Sequence, residues 1–287
     1  MTKLQDKIFS ITDTETTGKE QGVDEAIEIA SVKWSLKDGF LALPESWFVK
    51  PNRAIHPSAM AIHHLTQEDI KDAPPLEEVA PKVIDFVQGT TLVAHNAAFD
   101  QSMLPFLPQE QYPWIDSLQI ARHIWEKGSL NEDGHDLTSH TCQELRYWLK
   151  LKVDTMGLPA HRAAADILVA GAVFGCAVQK YLDMTQNDSY EDFVVFCNAP
   201  VLVKKMPFSK YKGQPLEEVP TDFYGWYLNK VHSGEMNMDK ALLISIDLVL
   251  KARGINHLDL IKTKEPTAKN WTDIAKQKND ISKKLKK

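Results

Sequence analysis

The sequence predicts an α/β domain with a mixed sheet flanked by helices, followed by a small, mostly helical C-terminal module. Strand-like segments open the chain, and shorter ones then alternate with segments of helical spacing, which is typical of an α/β domain. The strand-like segments are 8–15, 26–36, 45–50, 91–95 and 114–116. The helical segments are 57–64, 76–87, 117–124, 141–151 and 163–182. The last of these is apolar on nearly all sides, and we therefore expect it to be buried.

Changes in composition predict where the domains end. A polar run at 183–189 follows the long apolar helix, so we expect the main domain to span 1–183, with a linker at 184–199. The segment 200–255 contains clustered aromatic residues and an amphipathic helix, which indicate a compact accessory module. The segment 256–287 has no pattern of a packed fold, and we expect it to form a basic, flexible tail.

The composition of the 287-residue chain is that of an ordinary soluble protein, with 43% apolar and 25% charged residues. No run approaches the roughly 18 apolar residues that a membrane span needs, and the first residues carry no secretory signal. The three cysteines are widely spaced and form no C-x-x-C pair, which argues against a zinc site and a disulfide framework. These features predict a cytoplasmic protein without a membrane partner.

The charge of the chain is unevenly distributed. Nine lysines and three acidic residues give 262–287 a formal charge of +6, whereas the whole chain carries −6, so the remaining residues carry −12. A basic tail on an acidic body could bind phosphate groups. A solvated, disordered tail has the same composition and is the more common case.

The first strand ends in two carboxylates. Side chains alternate along a strand. One face is therefore expected to hold Phe9, Ile11, Asp13 and Glu15. Two like charges held this close repel each other, which indicates a bound cation or a shared proton. A D-x-E pattern alone is short, and the polar end of an ordinary strand is its more common origin.

Two further segments carry acidic residues that complete a possible site. Asp100 ends HNAAFD, which begins at the end of a strand-like run, and Asp166 follows His161 by five residues in HRAAAD. Four carboxylates from three separate elements suit two-metal phosphodiester hydrolysis, in which ions about 3.5–4 Å apart stabilise the attacking and leaving oxygens. Magnesium prefers oxygen ligands. Histidine titrates near neutral pH, so it suits the base that activates the attacking water.

The segments ITDTET, HNAAFD and HRAAADI resemble the three motifs of the DEDDh 3′–5′ exonucleases, which share the ribonuclease H-like fold. The five-residue step from His161 to Asp166 is that of the histidine-bearing branch. The resemblance covers 8–182 and is greatest to the bacterial exonuclease X type, which FVKPNRAIHPSAMAIHHLT also resembles. Through FSKYKGQPLEEVP the accessory module resembles a small bacterial domain of unknown function, with Ser209 where glycine is expected.

The resemblance implies a metal-dependent exonuclease that releases mononucleotides from the 3′ end of a nucleic acid. It makes His161 the general base, and it implies a cofactor of two Mg²⁺ ions, for which Mn²⁺ could substitute. The implied metal ligands are Asp13, Glu15, Asp100 and Asp166. Substrate contacts are implied for residues near the first two motifs and in the helix at 57–64, namely Thr16, Thr17, Met60, His63, Asn96 and Phe99.

Alternatives remain open for the function. DNA is the expected substrate, and an exoribonuclease of the same chemistry is the alternative, since a pocket for the 2′-hydroxyl group is not visible in a sequence. A catalytically inactive subunit that binds nucleic acid or a polymerase is a further alternative. The presence of all five catalytic residues argues against it.

Single residues also have two interpretations. His63 could contact substrate or end a helix, and Met60 is more often a core residue. His135, His140 and Cys142 fit no common zinc pattern. The aromatic residues and lysines of the accessory module could clamp a single strand of nucleic acid, but an aromatic core is the more common outcome.

Overall fold

The computed structural model describes residues 2–261, which fall into two compact units. The first unit ends at Val201, and the second begins at Leu202 and is described as far as Ile261. The predicted basic tail lies outside the described residues from position 262 onwards.

Within the described residues, the first unit is built on a mixed sheet of six strands. These are β1 (Ile8–Thr16), β2 (Ala26–Ser35), β3 (Gly39–Phe40), β4 (Glu45–Phe48), β5 (Thr91–Ala94) and β6 (Trp114–Asp116). The strand order is β3-β2-β1-β5-β6, with β4 also paired to β2. Strand β2 runs antiparallel to β1, whereas β5 is parallel to β1 and β6 is parallel to β5. The strand with the D-x-E pattern therefore lies in the middle of the sheet.

Helices pack on both faces of this sheet, as the sequence predicts. They are α1 (Pro57–His63), α2 (Leu76–Val87), α3 (Ala97–Met103), α4 (Ser117–Ile124), α5 (Cys142–Trp148), α6 (Ala163–Thr185) and α7 (Tyr190–Asn198). One apolar core contains residues of α4, α6 and α7, and the other contains residues of α2 and α3. Strand β5 contributes Val93 to the first core and Leu92 to the second, because its side chains alternate.

The long helix α6 packs directly on the centre of the sheet. The ring of Phe9 lies 5.2 Å from that of Phe174 and 5.9 Å from that of Trp34. A Cβ atom at Gly175 would lie only 3.0 Å from the Trp34 ring, so glycine permits this close approach. Among the described helices, α6 is the one long and apolar enough for a membrane span, but 67% of its most apolar stretch is buried in the protein. A core helix of a globular unit has the same properties.

The end of the first unit differs from the sequence-based boundaries. The sequence predicts a linker at 184–199, but α7 lies there, and its Phe193 and Cys197 belong to the core beside α6. The polar run before it is a helix start, because the Ser189 hydroxyl accepts a hydrogen bond from the Asp192 N–H at 3.2 Å. The first unit therefore extends beyond the predicted boundary at 183.

The second unit is mostly helical, as expected. It contains α8 (Thr221–His232), α9 (Lys240–Ala252) and three short 3₁₀ helices, Ser209–Tyr211, Leu216–Glu218 and His257–Leu260. Its core includes Tyr224, Tyr227 and Ile261. The packed module thus continues through residues that the sequence assigns to the tail, because the apolar Ile261 closes the core after the last helix. Ser209 has a φ of +61°, which explains why glycine is expected there.

Candidate active site

Three carboxylates meet at the end of β1. One oxygen atom each of Asp13, Glu15 and Asp166 can be chosen so that all three lie within 4.8 Å of one another. Strand β5 pairs with β1 only as far as Ile11, so the last part of β1 has a free edge on that side. The chain leaves β5 and β6 at this same end of the sheet. The carboxyl ends of parallel strands are a common place for binding sites in open α/β sheets.

The fourth predicted carboxylate lies beside this cluster. Asp100 is on α3, is 3% exposed, and accepts a hydrogen bond from the Thr14 hydroxyl at 2.8 Å. Thr14 stands between the two acidic residues of β1, so this bond ties α3 to the site. The structure thereby brings together the four carboxylates of the three motifs, which lie in three separate regions of the sequence.

Burial and mutual repulsion raise the pKa values of these carboxylates. Burial raises the pKa of Asp13 well above its usual range, and the charge of Asp100 raises it further. Burial raises the pKa of Glu15 to about 8, with Asp166 as the next cause. Burial raises the pKa of Asp100 to about 7, against the lowering effect of the Thr14 hydrogen bond. Such a cluster is stabilised by a cation, which makes it a candidate metal site.

His161 lies in the loop before α6, close to the cluster. Its N–H group donates a hydrogen bond to Asp166 Oδ2 at 3.0 Å, and its Nδ1 atom lies 3.9 Å from the same oxygen. Its backbone has a φ of +62°, an uncommon conformation for a residue other than glycine. Its side chain is 55% exposed. The histidine is therefore anchored through its backbone, while its imidazole remains accessible.

Two residues that sequence reasoning missed complete the surroundings of the cluster. Gln143 on α5 donates a hydrogen bond to Asp166 Oδ1 at 3.1 Å. Glu28 on β2 is the register partner of Glu15 and is fully buried. A glutamate inside an apolar strand is a signal that could have been used, because buried acids need partners. The position of Gln143 in the sequence carries no such signal.

The carboxylate of Glu28 has a full set of partners. It accepts hydrogen bonds from Arg162 Nε and Nη2, both at 3.1 Å, and from the Ser46 hydroxyl at 2.8 Å. The N–H group of Ala163, in the first turn of α6, lies 3.4 Å from the same carboxylate. Glu28 therefore fastens the start of α6, and the loop that carries His161, to the sheet.

The predicted substrate residues Thr16 and Thr17 lie where β1 ends and a tight loop begins. Thr16 Oγ1 donates to the Gly18 carbonyl at 2.5 Å, and Thr17 Oγ1 donates to Asp24 Oδ1 at 2.8 Å. Gly18 leaves room for the Asp24 carboxylate, which a Cβ atom at this position would displace. Since both hydroxyl groups are already engaged, a contact of these two residues with a nucleotide stays a prediction.

His63 and Met60 lie on α1 beside this loop. His63 is 2% exposed, its Nε2 donates to the Thr16 carbonyl at 3.2 Å, and its Nδ1 accepts from the Leu65 N–H at 3.0 Å. Burial lowers its pKa. The structure thus gives His63 a bracing role, since both ring nitrogens are used. Met60 is half-buried against a small apolar cluster under α1, and its substrate contact stays a prediction.

Asn96 and Phe99 lie at the start of α3. Asn96 has a φ of +80°, and its N–H group donates to Asp116 Oδ1 at 3.0 Å. Phe99 is half-buried against the core beside α2.

His140, one of the residues considered for zinc, holds the Trp125 carbonyl through its Nε2 atom at 2.7 Å. Within the described residues, the acidic cluster at the end of β1 is the group that could hold a metal ion.

Comparisons with known proteins agree with this geometry. The family described as Exonuclease matches residues 10–174. Exodeoxyribonuclease 10 of Escherichia coli K12 is 32% identical over 232 residues, which are 79% of this chain and 93% of that protein. A DNA polymerase III of PolC type from Caldanaerobacter subterraneus is 29% identical over 204 residues, 69% of this chain but 14% of the polymerase.

The fold comparison gives the same result. A solved structure of exonuclease X in complex with 5′ overhanging duplex DNA has a TM-score of 0.52 and 30% sequence identity, and the match covers 66% of this chain and 99% of that one. The family match over more than half of the chain and the relative at 32% identity show that the chain belongs to the exonuclease family, whose dependence on a divalent metal the acidic cluster fits.

Proposed function

We propose that this exonuclease removes nucleotides one at a time from the 3′ end of DNA, with two Mg²⁺ ions as its cofactor. The observation that carries the proposal is the meeting of Asp13, Glu15 and Asp166 within 4.8 Å, with Asp100 beside them. One relative named above is called an exodeoxyribonuclease, and the similar solved structure is a complex with DNA. Both favour DNA over RNA as the substrate.

The residues present fit a pair of divalent ions. The donors are all carboxylates, which hard cations such as Mg²⁺ prefer. Burial and repulsion raise the pKa of each of them, so the protein alone does not satisfy these charges. When bound, the ions would stabilise the attacking and leaving oxygens of the phosphodiester. Asp13, Glu15, Asp100 and Asp166 are the residues that would hold them.

His161 then acts on the proton of the attacking water. Its accessible imidazole accepts that proton as the water oxygen bonds to phosphorus and the bond from phosphorus to the 3′ oxygen of the penultimate nucleotide breaks. The leaving 3′ oxygen takes up a proton from solvent. The products are a nucleoside 5′-monophosphate and a strand with a new 3′ hydroxyl group. The hydrogen bond from the His161 N–H to Asp166 keeps the base beside the metal ligands. Glu28 and Arg162 keep the following helix in place.

Digestion of end-labelled oligomers tests the proposal. Matched DNA and RNA oligomers, labelled at either the 5′ or the 3′ end, are incubated with the chain and Mg²⁺. We expect a 3′ label on DNA to be released first as a mononucleotide, while a 5′ label remains on a ladder of shortening strands. EDTA should stop the reaction. Faster loss of the 5′ label, or faster digestion of RNA, would contradict the direction or the substrate.

A pair of variants links this activity to the proposed site. Asp166→Ala should remove activity, whereas Asp85→Asn should retain it, because Asp85 is an exposed acid on α2 outside the cluster. Circular dichroism checks that both variants are folded. Equal activity of the two variants would show that the chemistry lies elsewhere in the chain.

A further inference from the structure

The second unit presents an aromatic side chain that its core does not use. On α8, Tyr224, Tyr227 and Leu228 are at most 1% exposed and form the buried face of the helix. Trp226 lies on the other face and is 45% exposed. Large aromatic side chains left at the surface often mark binding sites. The aromatic cluster of this unit therefore has two parts, a buried core and an exposed edge.

This edge is a row of three rings, in which Trp226 is exposed and Phe223 and Tyr211 are half-buried against the core. The Phe223 ring lies 5.1 Å from the Trp226 ring and is tilted by 30° to it. On its other side, Phe223 lies 4.9 Å from the Tyr211 ring. The Phe208 ring supports the row from the core side, 6.2 Å from Phe223 and 5.3 Å from Tyr227. The rings are braced against one another, so little side-chain entropy remains to be lost when a ligand binds.

The segment that carries Tyr211 of this row contains four lysines and no acidic residue. The segment 201–215 carries Lys204, Lys205, Lys210 and Lys212. The Nζ atom of Lys210 lies 5.0 Å from the centre of the Tyr211 ring, within reach of a cation–π contact. The charge of Lys210 is thus adjacent to the first ring of the row, and Lys212 follows Tyr211 directly in the sequence.

The segment is held in a fixed shape. The Met206 N–H donates to the Gln214 carbonyl at 2.9 Å, and the Gly213 N–H donates to the Met206 carbonyl at 2.8 Å. Gly213 has a φ of +84°, a conformation that favours glycine. The lysines therefore project from an ordered turn rather than from a free loop.

We propose that Tyr211, Phe223 and Trp226, with Lys205, Lys210 and Lys212, form a second binding site for single-stranded nucleic acid. Unpaired bases stack on the rings, and the ammonium groups contact the phosphates. Both kinds of contact are needed for binding of a single strand without sequence preference. The choice of ligand rests on the proposed function, because a nuclease of DNA works on the same polymer. The site itself lies wholly within the second unit.

Closed circular oligomers separate this site from the catalytic one, because a circle has no 3′ end. The full chain is titrated in metal-free buffer with a fluorescent circle of dT and with a matched circle of abasic sugar phosphates. We expect the dT circle to bind about tenfold or more tightly than the abasic circle, since only bases can stack on the rings. Trp226→Ala should reduce dT affinity towards the abasic value and leave the abasic affinity unchanged. Trp226→Phe should retain most of the dT affinity.

Matched variants control for charge and for folding. Leu248→Ala removes a comparably exposed apolar side chain, 43% exposed on α9, and should leave both affinities unchanged. The double variant Lys210→Gln with Lys212→Gln should lower the affinity for both circles and flatten the salt dependence of binding. Thermal unfolding of each variant tests whether the second unit is intact.

Two results would overturn the proposal. One is equal affinity of the unmodified chain for the dT and abasic circles, and the other is a Trp226→Ala variant that binds dT like the unmodified chain. An aromatic edge used to dock another protein would give both results. Failure of the proposed exonuclease activity would show separately, as undigested linear DNA in the presence of Mg²⁺, and would leave the binding result standing.

Discussion

Glu15 and Glu28 are register partners on neighbouring strands, yet their surroundings are opposite. Glu28 is bound by the Arg162 guanidinium, a hydroxyl group and a helix N–H. Glu15 faces other carboxylates, and its pKa is raised to about 8. The fold thus satisfies the acid that holds the structure together and leaves the acid of the site for a partner from outside the chain. The contrast supports our proposal that Glu15, and not Glu28, binds the metal.

The largest expected effect is the loss of activity in Asp13→Asn. The variant keeps the shape of the side chain but removes a metal-binding charge, so we expect the rate to fall by at least about 10³-fold. In metal-free buffer the same variant should unfold at a higher temperature than the unmodified chain, because it removes a carboxyl group whose ionised form is unfavourable in the folded state. A lower unfolding temperature would contradict the repulsion in the cluster.

His161→Ala should slow hydrolysis by about 10²–10⁴-fold, the usual contribution of a positioned general base. Stabilisation by Mg²⁺ should be retained, since the carboxylates remain. His135→Ala serves as the control, because His135 is an exposed loop residue outside the three motifs. Single-turnover digestion of DNA measures the rates, and thermal shift measures metal binding. Similar rates for His161→Ala and the control would remove the histidine from the mechanism.

Glu28→Gln and Glu15→Gln should change stability in opposite directions. The first leaves the Arg162 guanidinium without its charged partner, and we expect a loss of about 3 kcal/mol in the free energy of unfolding. The second removes a carboxyl group whose ionised form is unfavourable in the folded state, and it should therefore stabilise the metal-free protein. Urea unfolding measures both changes. The double variant Glu28→Met with Arg162→Met should recover part of the loss, because no unpaired charge remains. If both variants changed the free energy of unfolding in the same direction, the two acids would not differ as we infer.

The smallest expected effect is a dependence of metal-free stability on pH. The folded pKa of Glu15 is raised to about 8 from its ordinary value of 4.5, so the folded state binds more protons than the unfolded state between these values. Stability should therefore fall as pH rises from about 5 to 8. Thermal unfolding without metal measures this slope, and Mg²⁺ should stabilise most at the upper end. Glu15→Gln should flatten the slope, whereas Asp85→Asn should not.

Much of the fold could be predicted because its signals are local. Alternation along β1 and β5, and helical spacing in α2 and α6, depend on residues a few positions apart. Strand β3 was missed because it has only two residues, Gly39 and Phe40, and is stabilised by its pairing with β2. Helix α7 was missed because a serine that caps a helix also fits a polar linker.

The site could be predicted only in part. The motifs predict the four carboxylates and His161, and the structure brings these residues to one end of the sheet. The residues that surround them follow no such motif. Gln143 reaches Asp166 from another helix, and the hydroxyl groups of Thr16 and Thr17 turn inward to their own loop. Hydrogen bonds of this kind depend on which segments become neighbours, and no local pattern encodes that.

The sequence by itself determined the class of the fold and the chemistry, because residue types and their spacing are enough to place carboxylates at the end of a strand. Only the tertiary structure decided which acid is paired and which rings are exposed. Glu28 meets Arg162 across 134 positions of the chain, and the adjacent aromatic residues Trp226 and Tyr227 lie on different faces of α8, the first exposed and the second buried. Burial and pairing are properties of the packed chain, so they emerge only once distant segments are in contact.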